Sequence, residues 1–384
     1  MTSADVIVVG AGVIGASCAF HLARAGLRVI VLEGAAAPGA GSTSRATGGF
    51  RAQYATAINI RLSLLARQRL LAFHDDTGVD PGFVAVGYLW LATSQRELAA
   101  LVDANQLQRH EGLTDACIVD PAAIAEINPY IAIAGIVGGA WCPSDGVMRP
   151  MEILRGYLEA AAYHGVDVHW GEPVVALTRD RDRIIRVVTP NASYASALVI
   201  DAAGAWAASV ARLARVDVPV VPLRRQVALT EPTDALPRTF PMTIWLDDGF
   251  HLRVRDDRAL LLRPTPGDPV DPWSDRVEPA WLDAIAATAP LRVPALRAVP
   301  LDRAGSWAGL YEMSPDGHAM IGFAPTCSNL VLVNGSSGHG VMHAPALGTL
   351  VAELATGAKP SLDVRALRPS RFADGEPIVG SSLL

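Results

Sequence analysis

A chain of 384 residues holds roughly two to three domains at about 150 residues each, and its core is large enough to fold without a metal or disulfide staple. Lys+Arg 32 against Asp+Glu 38 leaves a formal charge of -6, which argues against the basic stripe that neutralises nucleic-acid phosphates. Hydrophobic residues at 51% and charged residues at 18% exclude a disordered chain. Cys18, Cys117, Cys142 and Cys327 are scattered without CxxC spacing, so neither a disulfide framework nor a zinc site is expected. The longest apolar stretch, 6–20, falls short of the ~20 residues that span a bilayer, and no basic segment precedes it. A cytoplasmic protein without a membrane span is expected.

The opening residues carry the strongest pattern. Asp5-Val-Ile-Val-Val9 predicts a strand and Gly10-Ala-Gly12-Val-Ile-Gly15 a tight turn. Residues 14–25 predict a helix with Ile14, Ala19, Leu22 and Ala23 on one side, ended by Gly26. Residues 27–32 predict a second strand closed by Glu33. Further helices are expected at 57–74, at 94–112 with Ser94 and Glu97 in capping-box register, and at 152–164. Short strands are expected around 84–92, at 166–170 and at 172–178, and an apolar strand at 197–200. Residues 218–263 are mostly strand, 264–272 a proline-rich loop, 329–333 a late strand and 345–356 a last helix.

Strand, glycine turn, helix, strand and acid in this order form a dinucleotide-binding unit. Gly10 permits the turn, Gly12 lets backbone approach a diphosphate, and Gly15 lets helix and strand pack closely. The helix N-terminus supplies about half a positive charge to the phosphates. Glu33 is placed to accept ribose hydroxyls, and its charge disfavours a 2′-phosphate. The segment Gly41-Ser-Thr-Ser-Arg45-Ala-Thr-Gly48-Gly49-Phe-Arg51 is rich in the small and hydroxylated residues that allow close contact with an extended cofactor; composition alone fits an ordinary surface loop equally.

The first 50 residues, Asp201-Ala-Ala-Gly204-Ala-Trp206, Gly309-Leu-Tyr311-Glu-Met-Ser-Pro315-Asp316-Gly317 and Gly335-Ser-Ser-Gly338-His339-Gly340 occur in order. Together they resemble the D-amino-acid-oxidase-like FAD-dependent oxidoreductases, and most of all the β subunits of L-proline dehydrogenase and heterotetrameric sarcosine oxidase. The ending Arg371-Phe372-Ala-Asp-Gly375 fits the same branch. The resemblance implies an α/β fold with an α+β second domain. A Rossmann-like FAD-binding domain over 1–80, 145–217 and 310–384 would be interrupted by an antiparallel-sheet substrate domain over 81–144 and 218–309.

The resemblance also assigns residues. Gly10, Gly12, Val13, Ile14, Gly15, Glu33 and Gly34 would bind the dinucleotide, and Gly41, Ser42, Thr43, Arg45, Ala46, Thr47, Gly48 and Gly49 would lie along diphosphate and flavin. Val174 would hold the adenine side, Ala203, Gly204 and Trp206 would approach the dinucleotide, and Gly338, His339, Gly340, Val341 and Met342 would lie against the flavin pyrimidine. Donors there would stabilise the negative charge of reduced flavin. Monomeric sarcosine oxidases attach flavin to a cysteine whose position is Gly309 here, and no histidine stands near Arg149 and Pro150 where the β subunits attach FMN. Non-covalent FAD is therefore expected, with FMN left open only at a subunit interface. The lysine those monomeric enzymes place near flavin falls at Met342.

By the same resemblance the protein is an FAD-dependent amino acid or amine oxidase or dehydrogenase. It would oxidise a proline, sarcosine or N-alkyl glycine type of substrate by hydride transfer from carbon to flavin N5, giving an imine. Arg51 aligns with the arginine that pairs with the substrate carboxylate, a role suited to a guanidinium fork. His251, where relatives carry a tyrosine, Tyr311 and His339 are the other candidates near the reacting centre. His343 reads equally as helix surface, and Arg263 as a second anion anchor or an exposed edge. The chemistry needs a neutral amine, which an apolar pocket favours, and positioning more than a dedicated base. Partner subunits or a homo-oligomer are open. So are a subunit passing electrons to a second flavin or carrier, and a non-catalytic FAD-binding module.

Overall fold

The computed structural model describes residues 2–264 and 276–380; beyond Pro264, the expected proline-rich loop lies outside them. One sheet runs in the order Met320–Ala324, Cys327–Asn334, Ser193–Asp201, Thr2–Val9, Val29–Glu33, Asp167–Trp170. From Cys327–Asn334 to Asp167–Trp170 every neighbouring pair is parallel, and Met320–Ala324 closes one edge antiparallel. Parallel strands are covered on both faces, which is why Val6 to Val9 and Leu330 to Val333 are buried without interruption. Val6 and Val8 face a core shared with helices Val13–Arg24, Pro150–Tyr163 and Gly340–Thr356. Ile7 and Val9 face the hairpin Ala176–Asp180 and Arg183–Val188. The expected fold class holds.

The first helix is more enclosed than its apolar side predicts. From Val13 to Ala23 only His21 is not buried, because the helix lies between the sheet and the two helices that flank it. A Cβ on Gly348 would overlap Ser17, whose hydroxyl donates to the Ala344 carbonyl at 2.8 Å. The last helix starts at Gly340, five residues before the expected start. Proline usually marks a helix start, but Pro345 sits inside this helix.

The second sheet runs Leu301–Met313, Val221–Thr230, Arg258–Leu262, His251–Arg255, Met242–Trp245, Tyr88–Ala92, Gly138–Cys142, Cys117–Val119. It is antiparallel except where Met242–Trp245 pairs parallel with Tyr88–Ala92. These strands come from two separate segments of chain, so no hairpin joins them and antiparallel pairing is not imposed. Strand Leu301–Met313 carries this sheet across residue 309, where the sequence reading returned to the first domain. The capping box on helix Gln95–His110 is present between Ser94 and Glu97.

Period-two alternation gives the second sheet two different faces. Leu89, Leu91, Trp245, Leu252 and Leu261 pack in a core with Trp281, Leu282 and Ile285 of helix Pro279–Arg292. Trp90, Ile244, His251 and Leu262 are cross-strand neighbours in one row on the other face. That row lines a cavity against the first sheet.

Candidate active site

The cavity has a volume of about 970 Å³, at the top of the range for small-molecule sites. It begins outside the C-terminal ends of the parallel strands, at the switch point where such sheets bind ligands, and reaches the inner face of the second sheet.

The three motif glycines separate by what a side chain would meet. Gly10 is left-handed at φ +101°, and a Cβ there would sit 2.6 Å from the Ala202 carbonyl oxygen. A Cβ on Gly15 would overlap the Gly10 carbonyl, so Gly15 serves helix-to-strand packing and does not itself line the cavity. At Gly12 the nearest atom is Thr43 Oγ1 at 3.6 Å, an ordinary contact. The fold tolerates a side chain at Gly12, and the space is kept for a group in the cavity. Beside it the first helix has no side-chain cap and no acid in its first turn. Its Val13 N–H donates to Thr43 Oγ1 at 3.1 Å. Glu33 accepts the Ala11 and Ala35 amides at 2.7 and 2.8 Å, which fixes its carboxylate at the cavity rim.

The loop from Gly41 to Arg51 is held by a residue that sequence reasoning missed. Arg253, 4% exposed, donates from Nη1 to the Thr47 carbonyl at 2.6 Å and the Gly48 carbonyl at 2.8 Å, with Met148 at 3.4 Å. Burial pulls its pKa down to about 10, with Arg255 adding to the shift. Asp145 secures the next turn of chain, accepting the Ala52 amide at 2.8 Å and the Gln53 amide at 3.3 Å. Its carboxyl is pushed up to about 7 by burial, against those hydrogen bonds.

Arg51 donates to the Gln53 carbonyl at 3.0 Å, and its Nη2 lies 3.4 Å from His339 Nε2. The guanidinium carbon is 4.1 Å from the Tyr54 ring centre and 4.8 Å from that of Trp90. Burial, then the Arg51 charge, holds the His339 imidazole well below its ordinary pKa. His251 is pulled down to about 4, chiefly by burial, with Arg51 and Arg225 adding to it. Its Nδ1 lies 2.8 Å from the Gly249 carbonyl and carries the proton, which leaves Nε2 as an acceptor. Tyr311 packs where a Cβ on Gly338 would stand, and burial raises its hydroxyl pKa.

Glu312 and Ser336 also line the cavity, and Glu312 Oε1 accepts the Ser336 amide at 3.2 Å. Burial pushes the Glu312 carboxyl up to about 7. The gap at Gly12, beside the positive N-terminus of the first helix, fits the diphosphate of FAD.

Apart from Gly15, every site residue expected from the sequence lines this one cavity, from Gly10, Gly12, Glu33 and Val174 to Arg51, His251, Tyr311 and His339. Arg263, the second anion anchor or exposed edge of the sequence reading, does not; it follows the interior strand Arg258–Leu262 and lies 3.6 Å from Asp248. His343 is not helix surface: it is 1% exposed and 2.8 Å from Ser63 Oγ. Tyr88, Trp90, Arg225, Met242 and Ile244 also line the cavity. The signal for Tyr88 and Trp90 is the alternation of aromatic residues with Leu89 and Leu91 along their strand.

The family model for the DAO FAD-dependent oxidoreductases matches residues 5–354, and the chain belongs to that family. It is 26% identical to the glycine oxidase of Geobacillus kaustophilus, covering 94% of this chain and 95% of that one. Mouse mitochondrial dimethylglycine dehydrogenase is 27% identical over 96% of this chain, but the match spans only 44% of that longer protein. Among solved structures, L-proline dehydrogenase from P. horikoshii superposes with a TM-score of 0.91 at 26% identity, covering 98% of this chain and 100% of that one. Among the described residues no helix is long and apolar enough to cross a membrane.

Proposed function

We propose that the protein oxidises the C–N bond of a small amino acid or secondary amine that carries a carboxylate, with FAD held non-covalently. The backbone at Gly12 and the positive N-terminus of helix Val13–Arg24 receive the diphosphate, and Glu33 receives the ribose. Gly338 to Met342, at the start of the 17-residue helix Gly340–Thr356, place a second positive helix end in the cavity. A side chain at Gly309 would meet Arg45 Cβ at 2.6 Å, so this position offers no room for a linking cysteine. Bound FAD supplies a two-electron acceptor: the substrate C–H bond breaks, its hydrogen and electron pair leave, and the nitrogen lone pair closes the C=N bond of an imine.

The remaining work falls to the chain. Arg51 pairs with the substrate carboxylate and fixes which C–H bond is presented. Trp90, Ile244 and Leu262 exclude water around it, and the low dielectric favours the neutral amine. His251 Nε2, neutral because of burial, accepts the amine N–H. The observation that carries this reading is the convergence of Arg51, His251, Tyr311 and His339 on the cavity that holds the glycine turn.

Anaerobic mixing of the FAD-loaded protein with sarcosine, proline, other N-methyl amino acids and D-amino acids tests it. At least one of these is expected to bleach the flavin, and the same amine without its carboxylate should not. If dithionite bleaches the flavin and no member of the panel does, the reading is wrong.

A further inference from the structure

A second concavity, of about 590 Å³, shares Leu213 with the cavity described above. Leu177, Thr178, Arg179, Arg181, Leu213 and Arg215 line it. Among the described residues, then, three of its lining side chains are guanidinium groups and none is a carboxylate.

Two of these arginines stand where glycine would fit more easily. Arg181 opens the two-residue turn between strands Ala176–Asp180 and Arg183–Val188, at φ +51°. Turns of this length favour glycine or asparagine at that position. Arg215 follows Ala214, the C-cap of helix Ala207–Leu213, at φ +54°, and the Val216 N–H donates to the Ala211 carbonyl at 3.1 Å. A helix closed in this way usually takes glycine at its left-handed residue. A Cβ is disfavoured in the left-handed region, and nothing local offsets the cost. Both residues are exposed, and among the described residues neither side chain has a hydrogen-bond or ion-pair partner.

Arg179 is fixed instead. Its Nη1 donates to the Ala214 carbonyl at 2.8 Å and its Nη2 to the Thr326 carbonyl, neutral acceptors that orient the guanidinium and leave its charge. Two features oppose the positive field. Asp182, outside the lining, acts on Arg179 and Arg183, and the C-terminal end of a helix carries about half a negative charge. Three guanidinium groups outweigh both.

We propose that this concavity binds an anion with two or more linked phosphates, held by Arg179, Arg181 and Arg215. Guanidinium forks pair with phosphate oxygens in a fixed geometry, and cations on a strand, a turn and a helix end match a chain of charges better than a single one.

Isothermal titration of the FAD-saturated protein with pyrophosphate, ADP and inorganic phosphate tests this, with flavin absorbance followed to detect loss of cofactor. Pyrophosphate or ADP is expected to bind saturably and at least about tenfold more tightly than phosphate. Arg181→Gly and Arg215→Gly should each weaken that binding about tenfold, yet melt no lower than the wild type, because glycine suits both positions. Pyrophosphate binding as tightly as ADP would mean that the phosphates alone are read, and tighter ADP that the nucleoside is taken too. Either result supports the proposal when both variants lose the affinity. No saturable binding, binding unchanged in either variant, or binding that displaces the flavin overturns it.

Discussion

Arg253 Nη1 donates to the Gly48 carbonyl at 2.8 Å, and this buried bond ties the second sheet to the loop that carries Arg51. The same nitrogen takes the Thr47 carbonyl. Arg253→Met leaves these buried acceptors unmatched, and a loss of about 2–4 kcal/mol in folding stability is expected. Urea unfolding of the apoprotein measures it. A change within about 0.5 kcal/mol would show that the loop does not depend on this cation.

Gly12 and Gly15 should fail in different ways. Gly12→Ala places its Cβ 3.6 Å from Thr43 Oγ1, an ordinary contact, so the apoprotein keeps its stability while FAD affinity falls. Gly15→Ala collides with the Gly10 carbonyl and should unfold more easily with or without cofactor. Fluorescence titration of FAD and thermal melts of both apoproteins separate the two. Equal melting losses would contradict the division of roles.

Asp201 gives a pH signature. Burial, with the Glu312 charge adding, pushes its carboxyl up to about 7 from the ordinary value of 3.8. Between those values the native state holds a proton that the unfolded chain has released. Its contribution to stability is therefore full below about pH 4 and is lost as pH rises to about 7. Asp201→Asn keeps an acceptor for the Ala203 amide, which Oδ1 takes at 3.0 Å, and removes the titration. Stability of the wild-type apoprotein should fall more steeply across this window than that of the variant, by at most about 1.4 kcal/mol per pH unit. Parallel profiles would show that Asp201 does not titrate there.

Gly338 has φ +93°, and a Cβ would strike the Tyr311 ring. Gly338→Ala should cost about 1–3 kcal/mol. In a Gly338→Ala, Tyr311→Ala double mutant the combined loss should be less than the sum, because the clash is gone. Simple additivity in a double-mutant cycle by chemical unfolding would mean that the two residues do not touch.

The nucleotide half was legible because its constraints are local. Gly10, Gly12, Gly15 and Glu33 stand within one strand-helix-strand unit, where turn, close approach and packing each demand a residue type at a set spacing. The substrate half is built by contacts between distant segments. Trp90, Ile244, His251 and Leu262 form one row only after two pieces of chain pair in parallel, and no local rule predicts that register. Arg253 and Arg225 were missed because each reads as one more charged residue in a strand. In His251-Leu-Arg253-Val-Arg255, however, the polar residues alternate with core residues. A strand whose polar face is buried is itself a signal that this face looks into a site.

The most direct measurement is FAD uptake. Apoprotein is titrated with FAD, and the yellow complex is then denatured and centrifuged. Saturable binding near one FAD per chain is expected, weakened by Gly12→Ala, with all of the flavin released intact into the supernatant. A folded protein that stays colourless at saturating FAD would contradict it.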